Sequence, residues 1–107
     1  LSEYFVYMLT NRWKNVLYTG MTDGLDGRLS DHKHGRFDGF TRKYNCNRLV
    51  YFERHSDVAS AAAREQQIKG WTRVRKDALI ATINPEWNDL SNTWQTLEGG
   101  DPSLRSG

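Results

Sequence analysis

Cysteine is almost absent from this chain: Cys46 is the only one in 107 residues. An internal disulfide and a thiolate zinc cluster are thereby excluded. No apolar run approaches the roughly 18 residues of a membrane-spanning helix. No charged-then-apolar leader opens the sequence. A cytoplasmic protein without membrane attachment is the expectation. Hydrophobic residues make up only 37% of the chain, and its length leaves room for one core rather than two. Multi-domain enzymes and large cofactor folds are excluded on that ground. No internal repeat is visible. Net charge is scarce too, at +2.

What is present is aromatic side chains and a segregated distribution of charge. The 13 aromatics, four of them Trp, can fill a small core and are not the composition of a disordered chain. Residues 12–54 hold nine Lys/Arg against five Asp/Glu, and residues 64–76 hold five against one. Those segments together carry +8, whereas residues 77–107 carry −4 from one basic and five acidic side chains. Such a chain can present a basic face to a polyanion while its tail stays acidic. A solvated mixed surface is the plainer alternative.

Tyr4–Leu9 and Val16–Thr19 are short aromatic and β-branched runs separated by a polar, turn-forming segment. They predict two antiparallel strands. Thr22-Asp23-Gly24 offers a cap for a short helix from Leu25 to about His34, closed by Gly35, and residues 35–47 read as a loop. Arg48–Arg54 predicts a third strand. Ser56-Asp57 caps a second helix with Val58, Ala61, Ala62, Ile68 and Trp71 at roughly helical spacing. Gly70 interrupts it. Thr72 caps a third helix, whose apolar positions are Val74, Ala78, Leu79 and Ile83 and which Pro85 ends near Asn84. The expectation is an α+β domain over residues 1–90. It has a small three-stranded, mostly antiparallel sheet in the order β-β-α-β-α-α, followed by a disordered or extended tail over 91–107.

Three features break local rules. Position 65 lies within the apolar stripe of the second helix yet holds a carboxylate, Glu65, and a buried charge is costly unless paired or bound to metal. A structural pair with an arginine such as Arg28 and a metal site both fit. Tyr7 and Tyr18 lie on strands expected to be neighbours, where phenols most often serve packing. Arg28 and His32, spaced i,i+4, share one face of the first helix and could receive a phosphate, or could simply face solvent.

In order, Val6-Tyr7-Met8, Tyr18-Thr19-Gly20, Arg28-x-x-x-His32, Glu65 and Asn84-Pro85 resemble the core of the GIY-YIG nuclease domain. Thr41-x-Lys43-Tyr44, Arg64-Glu65-Gln66-Gln67-Ile68-Lys69-Gly70-Trp71 and Asn84-Pro85-x-Trp87-x-Asp89-Leu90 resemble its small, single-domain bacterial branch. Phe5 and Val6 replace the Gly and Ile of the first motif, and Thr19 replaces the Ile of the second. These positions should affect sheet packing more than chemistry.

The resemblance implies a metal-dependent endonuclease acting on DNA, on structured or single-stranded substrates, in repair or DNA processing. Its catalytic residues would be Tyr7, Tyr18, Arg28, His32 and Glu65. Glu65 would hold one divalent ion, Mg²⁺ or Mn²⁺, with water and phosphate completing the shell. Tyr7 would be general base or relay, although a phenol titrating near 10 needs positive charge beside it to serve at neutral pH. Arg28 would orient the phosphate, and His32 would exchange a proton with Tyr7 or donate to phosphate. Asn84 and Gly20 would support the pocket.

Lys33, Arg36, Arg42, Lys43, Lys69, Arg73 and Lys76 would grip phosphates with little sequence specificity, and RNA would satisfy the same contacts. Phe37, Phe40, Tyr44 and Trp71 could stack on bases or pack in the core. A protein partner could supply targeting. The alternatives are a non-catalytic nucleic-acid-binding module or a protein-binding domain, which would give Trp13 and Trp94 a role.

Overall fold

A computed structural model of the chain describes residues 3–24 and 43–91. The expected first helix, most of the basic loop and the tail lie outside the described residues. So do Arg28, His32, Lys33, Arg36, Arg42 and Trp94.

The first strand, β1 (Tyr4–Thr10), is buried from Phe5 onward. An uninterrupted apolar run is what a strand covered on both faces requires, and β1 is the central strand. It is flanked by β2 (Leu17–Thr22) and β3 (Arg48–His55), both antiparallel to it, in the order β2-β1-β3. The fold is α+β, as the sequence predicts. The β2 register sets Tyr7 opposite Gly20 and Leu9 opposite Tyr18. On the other side a bulge between Met8 and Leu9 shifts the pairing with β3.

Two helices follow, α1 (Val58–Lys69) and α2 (Arg73–Ala81). Asp57 caps α1 by accepting from Ser60 N at 2.7 Å, and Thr72 caps α2 by accepting from Arg75 N at 3.3 Å. Each side chain satisfies one of the amide donors a helix start leaves without a partner. Gly70 closes α1 with its amide on the Gln66 and Gln67 carbonyls. No helix among the described residues is long and apolar enough to cross a membrane.

The two sheet faces carry separate cores. Ala61 and Ile68 of α1 and Ile80 of α2 pack on Val6, Met8, Val50 and Tyr51. Phe5, Tyr7, Leu9, Leu49 and Cys46 cluster on the opposite face, with Tyr18, Phe52 and Leu90 against them. Burial pushes the Cys46 thiol up to about 11, so it stays a neutral packing group at ordinary pH.

The apolar positions read for α2 need correction. Val74 and Ile83 are exposed, and Ile80 is the buried residue. The helix meets the sheet through its last turn, so its first turn has no apolar surface to cover. Val58 is likewise exposed at the start of α1. Lys43 and Tyr44, read as loop, are helical, and Asn45 ends the turn at φ 55°. Asparagine tolerates that left-handed conformation better than most residues.

Residues 84–90 are tied to β3. Asn84 Nδ2 donates to Val50 O at 3.0 Å and to Asn88 O at 2.8 Å, while Asn84 Oδ1 accepts from Asn88 N at 3.0 Å. Leu90 N donates to Leu49 O at 2.7 Å, and Leu49 N donates to Asp89 Oδ1 at 3.2 Å. Asn84 therefore uses its amide to close the turn after α2 and to fasten it to β3.

Candidate active site

Strand alternation puts Tyr7 and Tyr18 on the same sheet face, on adjacent strands. Their ring centroids are 6.2 Å apart with planes tilted by 44°. Gly20 lies opposite Tyr7 and leaves the floor that both rings occupy. A Cβ there would sit 2.7 Å from the Tyr7 hydroxyl oxygen and 2.9 Å from Tyr18 Cε2. No side chain fits, which gives the glycine of the second motif a packing reason. Tyr7 is fully buried, whereas Tyr18 is only partly covered.

Glu65 comes from α1, on the opposite side of the sheet. It lies between Ala61 and Ile68 on the inward stripe, as its spacing predicts, and its side chain is 16% exposed. Its ion partner is Lys69 one turn later, at 3.1 Å. The described residues thus bring Tyr7, Tyr18 and Gly20 together directly, while Glu65 approaches from the other face. What reaches the outer edge of β2 beside Tyr18 is Lys69, the partner of Glu65. A shallow cleft of about 260 Å³ there is lined by Leu17, Tyr18, Thr19, Lys69 and Lys76. Thr19 Oγ1 is buried and has no hydrogen-bond partner.

A second cleft, of about 360 Å³, continues along the same edge. Asn15, Val16, Leu17, Tyr44, Arg73 and Lys76 line it, so the two clefts share Leu17 and Lys76. Tyr44 is partly exposed there, with Lys43 Nζ 5.4 Å from its ring centroid. Arg73, expected on phosphate, is committed within the protein. Its guanidinium donates to Asp77 at 2.7 Å, Lys14 O at 2.8 Å and Asn15 O at 3.2 Å. Trp71 joins the helix-side core, with the Arg64 and Arg75 guanidiniums 5.3 and 4.4 Å from its ring centroid. Trp13 is exposed beside Arg12, at 4.8 Å.

The donor set at Glu65 fits a hard cation that keeps most of its water, because Mg²⁺ is commonly bound through one or two carboxylates plus substrate phosphate. It does not fit a closed zinc site. Among the described residues no three His, Cys, Asp or Glu side chains gather to hold a metal.

Sequence reasoning missed a second polar centre on the β3 side. Glu53 Oε1 accepts from Tyr51 at 2.5 Å, Oε2 lies 2.6 Å from His55 Nε2, and Arg64 Nε donates to both oxygens at 3.2 and 3.0 Å. Burial alone would raise this carboxyl, but the three partners outweigh it and hold it below the usual carboxylate range. Burial pushes the Tyr51 phenol up to about 12, with the neighbouring Glu53 adding to the shift. The signal was the alternation Tyr51, Glu53, His55 along one strand face, opposite a helix carrying Arg64.

Known proteins match most of this chain. The model of the GIY-YIG catalytic domain matches residues 3–77. A UPF0213 protein of Natronomonas pharaonis is 32% identical over 80 residues, covering 75% of this chain and 93% of that protein. A UPF0213 protein of Clostridium perfringens is 37% identical over 78 residues, covering 73% and 83%. The solution structure of a UPF0213 protein from Bacillus halodurans superposes with a TM-score of 0.54 at 25% identity, over 81% of this chain and 92% of that one. With the domain model matched from the first strand into α2, this chain belongs to the GIY-YIG family, alongside its small UPF0213 members.

Proposed function

We propose that the protein is a divalent-metal-dependent endonuclease that hydrolyses phosphodiester bonds in DNA, single-stranded or branched, with little sequence specificity. The observation that carries the reading is the tyrosine pair seated on Gly20 beside a cleft. That cleft is lined by Tyr18 and by Lys69, the partner of Glu65.

Hydrolysis needs a positioned water, positive charge on the phosphoryl oxygens and stabilisation of the leaving oxygen. Tyr18 is the tyrosine that lines the cleft, and on this reading its hydroxyl takes the attacking water. Tyr7, packed behind it, is the relay. Tyr18 takes the proton of the water as it passes its own to Tyr7, and Tyr7 gives its proton to a further group, the part His32 fills by resemblance. Lys69 and Lys76 draw the phosphate in and offset its charge, and Arg28, again by resemblance, orients it. Glu65 would hold a Mg²⁺ or Mn²⁺ ion, which when bound supplies Lewis-acid stabilisation of the phosphate. The shallow clefts offer a backbone track and few base-reading groups, in keeping with low sequence specificity.

The test is cleavage of labelled single-stranded, branched and duplex DNA, and of RNA, with Mg²⁺, Mn²⁺ or EDTA. Wild type should cut only with metal, and Glu65→Ala and Tyr7→Phe should not cut while remaining folded. Equal cutting by Glu65→Ala overturns the reading. Salt-dependent binding without any metal-dependent nicking would instead identify a binding module.

A further inference from the structure

Lys69 belongs to two places at once. Its ammonium lies 3.1 Å from the Glu65 carboxylate, yet the side chain is 45% exposed and also lines the cleft with Tyr18, Thr19 and Lys76. An i,i+4 pair of this exposure is weakly held. A divalent cation on Glu65 would repel the ammonium and bring more charge to the same oxygens, so the two cations compete. The displaced ammonium has a long, flexible stem and a second destination. Thr19 and Lys76 line that cleft, and Lys76 supplies a second positive charge there.

We propose that Lys69 is a two-position residue. It neutralises Glu65 in the metal-free protein, gives that carboxylate up to a divalent cation, and turns its ammonium to a phosphate oxygen in the cleft. The inference rests on the proposed function for its metal and its polymer and adds the link between them. By linkage, metal and phosphate backbone each tighten the binding of the other by one common factor, and Lys69 adds to it beyond the direct metal–phosphate contact. Lys69 is then a positioning residue whose effect appears in equilibrium binding, without any turnover.

The experiment measures Mn²⁺ binding by titration calorimetry with and without a short phosphorothioate oligodeoxynucleotide, and oligonucleotide binding with Mn²⁺ or EDTA. It compares wild type, Lys69→Gln, Lys76→Gln and Glu65→Gln. In wild type each ligand should tighten the other by about five-fold or more. Lys69→Gln should bind Mn²⁺ alone more tightly than wild type and show a smaller coupling, with only the direct metal–phosphate contact left to carry it. Lys76→Gln should weaken the oligonucleotide while keeping the coupling. The proposal is overturned if Lys69→Gln binds Mn²⁺ no tighter, or if its coupling equals that of wild type. If Glu65→Gln binds Mn²⁺ as well as wild type, the cation does not sit at Glu65 and the functional reading falls first.

Discussion

Two glutamates lie at nearly equal depth in this domain, Glu53 with 19% of its side chain exposed and Glu65 with 16%. Glu53, near one edge of the sheet, is wrapped by Tyr51, His55 and Arg64. Glu65, which lies on α1 beside β2, has one lysine among the described residues. Burial is the same and satisfaction is not. A carboxylate with every oxygen engaged is finished as a ligand. One held by a single flexible ammonium is open to exchange. The difference sets a carboxylate engaged on all sides apart from the one we propose as the metal ligand, where depth alone would rank them together.

The largest expected effect breaks the comparison at its open end. Glu65→Gln should lower metal-dependent cleavage by at least about 100-fold, the scale of losing one main electrostatic stabiliser. Its urea midpoint should stay close to wild type. Glu53→Ala should do the reverse. Removing the shared acceptor leaves Arg64 with Gln67 alone and takes the Glu53 carboxylate from Tyr51 and His55, and urea unfolding should show a loss of about 2–3 kcal/mol. Cleavage by the folded fraction should persist. If the two variants exchange phenotypes, the roles drawn here are wrong.

Gly20→Ala sharpens the contrast, because Gly20 touches the tyrosine pair and not the Glu53 cluster. Its Cβ must displace the Tyr7 hydroxyl or the Tyr18 ring. A stability cost of about 1–3 kcal/mol with a fall in cleavage by the folded protein is expected.

The smallest effect is in pH dependence. The Glu53 carboxyl is held low in the fold, so its stabilisation is present above the ordinary carboxylate pKa of about 4.3 and is lost as pH falls through the folded value. The Tyr51 phenol is raised to about 12. Its stabilisation is complete below about 10 and drains away as pH rises from there toward the folded value. Stability curves of Glu53→Gln and Tyr51→Phe against wild type should lack the acid and the alkaline limb respectively.

The strands and the two described helices were legible because their signals are local. β1 announces itself as an unbroken apolar run, and Asp57 and Thr72 stand at the predicted helix starts. The inward turn of α2 was not legible. Val74 and Ile83 fit a helical stripe as well as Ile80 does, and only docking onto the sheet selects Ile80. Glu65 could be flagged because it violates its own stripe. Glu53 could not, since its partners come from β3 and from α1, and a charge on an outer strand breaks no rule. The packing of Gly20 under two phenols needs the strand register, which pairs it with Tyr7. Asn84 reads as a motif residue, while its hydrogen bonds to Val50 and Asn88 are visible only in three dimensions.

The clefts run along the rim of β2 instead of sinking into the domain. A rim offers no walls, so a small molecule settling there would leave most of its surface in water and gain little. A polymer differs, because each repeat that lands beside Lys76 raises the local concentration of the next repeat beside Lys69. Length of ligand replaces depth of pocket as the source of affinity. On a rim of this kind the chain being held is also the cover that keeps water from the reacting phosphate.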